Sequence, residues 1–153
     1  MARKKTGVRY LNVNYNVNKN KRTVACVLTA GISFNRLPFI GMLMGSENWN
    51  RGMNNVRIER WRNDETGILE TYYAFDVVGF ANCSPDDKFD ETLGKKIALT
   101  RAQQGAFDEA SGFYAFSEDC LLEAADRMAQ LRENTDASYF SCKDHAADLA
   151  ENK

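Results

Sequence analysis

The segment Leu11-Asn-Val-Asn-Tyr-Asn-Val-Asn18 alternates strictly between apolar and polar residues. Leu11, Val13, Tyr15 and Val17 fall on one side of an extended chain, and Asn12, Asn14, Asn16 and Asn18 on the other. A period of two predicts a half-buried antiparallel strand. The polar run Lys19-Asn-Lys-Arg22 predicts a hairpin turn, and the β-branched residues over 23–29 predict the returning strand. Residues 56–61 alternate again, and Asn63-Asp-Glu-Thr-Gly67 supplies the next turn. Residues 68–81, rich in Tyr, Phe and Val, predict a long strand in which Gly79 marks a bulge or bend. Between residues 31 and 55, four glycines (31, 41, 45 and 52) suggest loops between short strands.

Beyond residue 83 the period lengthens. Asp90 is placed to cap a helix, with Glu91 favourably in its first turn. Leu93, Ile97, Ala98, Arg101 and Ala102 follow at helical spacing, and Gly105 suggests an end. A second helix is expected from a Ser117 cap, with Leu121, Leu122, Ala125, Met128 and Ala129 inward, stopping near Asn134. Residues 141–151 suggest a short third one. Strands followed by helices predict an α+β fold: an antiparallel sheet in the N-terminal half, with two or three C-terminal helices on one face. The whole, 1–153, is expected to be a single domain, β-rich to about residue 82 and helical from residue 83.

Composition adds one feature to this picture. The 153 residues, 44% hydrophobic and 27% charged, suit a folded domain with its own core. The net charge is −1, yet residues 1–62 carry 12 Lys/Arg against only Glu47 and Glu59, a net of +10. Residues 63–153 carry 8 Lys/Arg against 19 Asp/Glu, a net of −11. A basic β half therefore precedes an acidic helical half. The longest apolar patch, Leu37-Pro-Phe-Ile-Gly-Met-Leu-Met44, is far too short to span a bilayer. The first residues lack the apolar stretch of a secretion signal, so a cytoplasmic protein is expected, with no membrane partner.

Candidate chemistry is sparse. Cys142-x-x-His145, with Cys83 and Cys120, contains the residue types of a zinc site, but its spacing matches no zinc-binding pattern. Buried apolar cysteines are the simpler reading, and no metal or cofactor is expected. The carboxylates Asp86, Asp87, Asp90 and Glu91 could hold a divalent cation for hydrolysis, although a helix start attracts the same residues without catalysis. Glycine-rich phosphate loops and a nucleophile elbow are both missing. The basic half is more informative. Arg22, Arg51, Arg57, Arg60 and Arg62, with Trp61 and the amides of Asn14 and Asn16, could hold phosphates, stack bases and read base edges. The alternative is internal neutralisation of a basic sheet by an acidic helical layer.

One segment, residues 77–102, resembles a pattern in small bacteriophage accessory proteins. A strand ends in Cys83; an acidic turn with Asp87, then Phe89-Asp90, leads into a helix bearing Gly94, Ile97, Ala98, Arg101 and Ala102. The resemblance implies a strand-to-helix junction stapled by Phe89 and capped by Asp90, and no catalytic role. It also implies a host-directed binding protein. The expectation is therefore a non-enzymatic, phage-type protein that interferes with a host nucleic-acid- or nucleotide-based system, as a counter-defence or host-takeover inhibitor. Its partner would be a host protein of nucleic-acid metabolism or defence, or the nucleic acid or nucleotide itself, and homo-oligomers are compatible with the pattern. A direct nucleic-acid-binding module and a metal-dependent hydrolase are the alternatives.

Overall fold

A computed structural model describes residues 5–37 and 56–152. Four antiparallel strands, β1 (Val8–Asn18), β2 (Thr23–Ser33), β3 (Arg57–Arg62) and β4 (Leu69–Asn82), form one sheet in the order β1-β2-β4-β3. A single 3-10 turn, Phe34–Arg36, follows β2. Among the described residues one α-helix, α1 (Glu91–Glu151), completes the α+β architecture. The hairpins form where the polar runs predict them. In the first, Asn18 Oδ1 accepts from the Lys21 amide at 2.9 Å and Arg22 takes a left-handed φ of 56°. In the second, Gly67 adopts φ 68°, a conformation that favours glycine, and its amide bonds the Asn63 carbonyl at 2.7 Å.

Register sorts the side chains by face, because cross-strand partners point to the same side. Val24, Cys26, Leu28, Ala30 and Ile32 of β2 pair with Ala81, Gly79, Val77, Phe75 and Tyr73 of β4 and lie under the helix. Val13, Tyr15 and Val17 of β1 share that side. They remain partly exposed because α1 runs over the two central strands. Leu11 departs from the alternation. A register shift between Tyr10 and Asn12 makes it the extra residue, and its Cδ1 lies over Gly31 on the opposite face, beside Tyr72.

Gly79 shows no bulge: β2 and β4 pair without interruption from Thr23↔Asn82 to Ser33↔Tyr72. Its role is close approach. A Cβ there would overlap the Ala98 carbonyl oxygen and the Ala102 amide nitrogen, so the helix backbone rests directly on the strand. Ala98, Ala102, Ala106 and Ala110, four residues apart and essentially fully buried, keep α1 at that distance. Farther along, Phe113 packs on Tyr73, which stacks on Phe34 at 4.4 Å. The Tyr114 hydroxyl donates to the Thr6 carbonyl at 2.8 Å, tying the start of β1 to the helix.

The expected two or three helices are one, 61 residues long and about 90 Å from end to end. Its start is the expected one, with Asp90 accepting from the Leu93 amide at 3.0 Å. Gly105 does not end it: the helix runs on past this position, where it lies over Val77 of β4 and a Cβ would meet that side chain at an ordinary 3.6 Å. Ser117 caps nothing: it lies in the helix interior, 4% exposed. Residues 91–121 cover the sheet, whereas residues 122–152 extend past it as an arm. There Leu122, Met128, Leu131, Tyr139, Phe140 and Leu149 are 57–63% exposed.

Candidate binding face

The helix α1 covers one face of the sheet; the other is exposed near the β1–β2 turn, whereas Thr29, Ser33, Tyr72 and Ala74 at its far end are buried. On the open side, near the β1–β2 turn, register aligns three rows across three strands. They are Asn14–Val27–Val78, Asn16–Ala25–Phe80 and Asn18–Thr23–Asn82. Val27, Val78 and Phe80 are 37%, 49% and 56% exposed, which makes an uncharged apolar patch bordered by amides. The rows contain no ionisable side chain, and the flanking β1–β2 turn supplies Lys19 and Lys21.

The other end of the open face is ionic. Arg57 reaches both oxygens of Asp76, at 3.0 and 2.9 Å, and also pairs with Glu59. The Thr29 hydroxyl donates to Asp76 at 2.7 Å, and the Trp61 indole donates to Glu59 at 2.7 Å. These donors hold both carboxyls below the ordinary carboxylate range, and the two carboxylates raise Arg57. Nearby, the Tyr72 hydroxyl donates to Glu70 at 2.6 Å and holds that carboxyl low; burial raises the Tyr72 phenol. Burial alone pushes Tyr73, on the helix side, up to about 12. Most positive charge here already has a partner, including Arg9, which stands 3.6 Å from Glu65.

The residues expected to bind a polyanion are thus distributed over several surfaces. Asn14 and Asn16 belong to the amide rows, while Arg57 and Trp61 share the same face at its opposite end. Trp61 pairs with Glu70, and Asn14 is level with Val78, eight residues farther along β4, or about 26 Å. Arg60 and Arg62 point to the helix side of β3; Arg62 donates to the Gly67 carbonyl at 2.6 Å, and Arg60 has no ionic partner among the described residues. Arg22 is structural. Its guanidinium lies 3.2 Å from the Pro85 carbonyl and 3.4 Å from Cys83 Sγ, joining the first hairpin to the junction before α1. Arg51 lies outside the described residues.

The other candidate groups are also separated. Cys83 sits at the strand-to-helix junction, Cys120 is buried in α1, and Cys142 and His145 stand on the arm. Cys120 and Cys142 are 22 helix positions apart, about 33 Å, too far for one ion. Asp90 caps α1, and Glu91 pairs with Lys95 at 2.8 Å and Lys19 at 4.0 Å. Among the described residues no three His, Cys, Asp or Glu side chains gather as a metal site would require. No described helix is apolar enough to cross a membrane.

Sequence reasoning passed over Val27, Val78 and Phe80. The signal was present: 24–28 and 77–81 are apolar at nearly every position, so each strand must show apolar side chains on both faces. The helix covers one of those faces, and near the β1–β2 turn the other is left exposed. No family model, curated protein or solved structure matches the chain.

Proposed function

We propose that this is a non-enzymatic binding protein that engages a host protein through the open face of its sheet. On that reading it interferes with a host nucleic-acid- or nucleotide-based system, the role implied by the resemblance of residues 77–102 to phage accessory proteins. The observation that carries the choice of surface is the apolar patch of Val27, Val78 and Phe80 on the open side, flanked by Asn14, Asn16, Asn18 and Asn82. An apolar centre with a hydrogen-bonding border is the anatomy of a protein interface. The ion-paired state of Arg57 and Arg9 favours a protein partner over a phosphate backbone, since phosphate binding needs uncommitted cations.

A second reading, direct binding of single-stranded nucleic acid, draws on the same patch: Phe80 as a stacking platform, Asn14 and Asn16 at base edges, Lys19 and Lys21 near phosphates. One experiment separates the two. The intact protein and its Phe80→Asp variant are immobilised and exposed to host lysate, with and without nuclease. Recovery of a defined host protein by the parent alone, unchanged by nuclease, supports the first reading. Recovery of nucleic acid, lost steeply with added salt, replaces it with the second. Equal recovery by both proteins sinks the open face as the contact surface.

A further inference from the structure

Among the described residues, no strand or second helix lies against the arm of α1. Most helical stability in proteins comes from burying one face rather than from propensity. Beyond the sheet, one stripe continues at alternating spacings of three and four: Leu121, Ala124, Met128, Leu131, Thr135, Ser138, Cys142, His145 and Leu149. That is the spacing of a coiled-coil seam, although the exposed Leu122, Tyr139 and Phe140 lie outside it. The two hydroxyls within it need no outside partner. Thr135 Oγ1 donates to the Leu131 carbonyl at 2.7 Å and Ser138 Oγ to the Asn134 carbonyl at 3.0 Å, so both can be covered without orphaning a donor.

We propose that the arm pairs antiparallel with the same segment of a second copy of this chain, about a two-fold axis between Asp136 and Ala137. In that register Ala124 meets Leu149, Met128 meets His145, Leu131 meets Cys142 and Thr135 meets Ser138. Most layers set a larger side chain against a smaller one, as close packing requires. The flanking positions choose the orientation. Arg127, which also pairs with Glu123 of its own helix at 3.0 Å, lies within about 3 Å along the axis of Asp148 on the other copy, and Arg132 within about 3 Å of Tyr139. These are an ion pair and a cation–π contact. A parallel pair would instead set Arg127 against Arg132 at each flank. Antiparallel pairing also brings Asp144 and Asp148 to the end of the second copy's sheet where Arg60 and Arg62 stand, because α1 runs from Gly79 toward Tyr73 and leaves by that end. One patch complementary to itself forms a closed two-fold dimer rather than a filament. The two sheets then stand roughly 46 Å apart at opposite ends of the rod, each with its open face available, which presents the binding patch in duplicate.

The test is the mass of the full-length protein by sedimentation and light scattering over a concentration series. A dimer of two 17.3 kDa chains is expected. Leu131→Glu should leave a monomer whose near-ultraviolet spectrum is unchanged. Arg127→Asp and Asp148→Arg should each weaken association by roughly tenfold, because an attraction becomes a repulsion at both ends, and the double variant should restore it. Mild oxidation of Leu131→Cys should link the new thiol to Cys142 of the second copy, identified by peptide mapping, whereas the parent should not self-link through Cys142. A monomer at every concentration overturns the proposal, as does a dimer that survives Leu131→Glu. A Cys142–Cys142 link in the parent protein, or a double variant no tighter than its parents, overturns the antiparallel register.

Discussion

The two halves of α1 are built from similar residues and meet different surroundings. Both are rich in alanine. In residues 91–121 four of the five alanines recur every fourth position, at 98, 102, 106 and 110, and form a smooth stripe that lies on β2 and β4. In residues 122–152 they occur at 124, 125, 129, 137, 146, 147 and 150, with no described strand opposite. Alanine favours the helix in both halves. Only the spacing of the first half lets a helix backbone settle on a sheet, and only there does a glycine strand position receive it.

The sharpest way to break the contrast is to fill the contact. Gly79→Val should displace α1 from β4 and cost about 3 kcal/mol or more, read as loss of the cooperative melting transition or a large fall in Tm. Ala102→Leu, in the same stripe, should cost about 1–3 kcal/mol by overpacking. Its counterpart Ala137→Leu, on the arm and outside the proposed seam, should change Tm by no more than about 0.5 kcal/mol would. Equal effects at positions 102 and 137 would erase the distinction between the two halves.

Smaller effects should come from the ends of the elements. Asp90→Ala removes the side-chain acceptor of the Leu93 amide and should cost about 1 kcal/mol in chemical denaturation. The Arg57 network makes a prediction in pH. Asp76 and Glu59 are held below their ordinary values of 3.8 and 4.5. Their contribution to stability is therefore fully present above that range and is lost as pH falls through the lowered folded values. Unfolding free energy should stay flat from neutral to about pH 5 and then decline. The decline should be shallower in Asp76→Asn, which has no carboxyl to take up a proton on unfolding; an unchanged acid limb would show that the network contributes little to the fold. Phe80→Asp should alter stability least, within about 0.5 kcal/mol, while abolishing partner recovery.

Much of this architecture is legible before any coordinates. The alternation at 11–18, the polar turn 19–22, the second alternation at 56–61 and the acidic cap at Asp90 each act over a few residues, and each appears as expected within one to four positions. The extra strand residues, such as Val8 to Tyr10 and Ala30 to Ser33, are less alternating and owe their extension to pairing. The helix ends proposed at Gly105 and Asn134 fail for a related reason. A glycine costs about 1 kcal/mol within a helix, a modest penalty beside the packing around it, and no proline interrupts residues 91–151.

The candidate site was legible only in part. The asparagine row announced itself by its period, and it lies on the open face. The basic residues did not announce where they would go: Arg57 and Arg60 are three positions apart, so they point to opposite sides of β3. Arg57 then meets Asp76, 19 residues away in the chain, and Arg22 meets Pro85, 63 residues away. Phe80 and Val78 could be assigned to a core or a surface only once it was known which side the helix covers.

By itself, the amino-acid order determined the strands, their turns, the start of the helix and the bipolar charge, because period, capping and turn chemistry act between near neighbours. Tertiary structure alone decided three things: which face of the sheet stays open, which cations are already paired, and where α1 outruns the strands beneath it. Those outcomes depend on contacts between residues distant in sequence, and on the length of one element measured against the width of another.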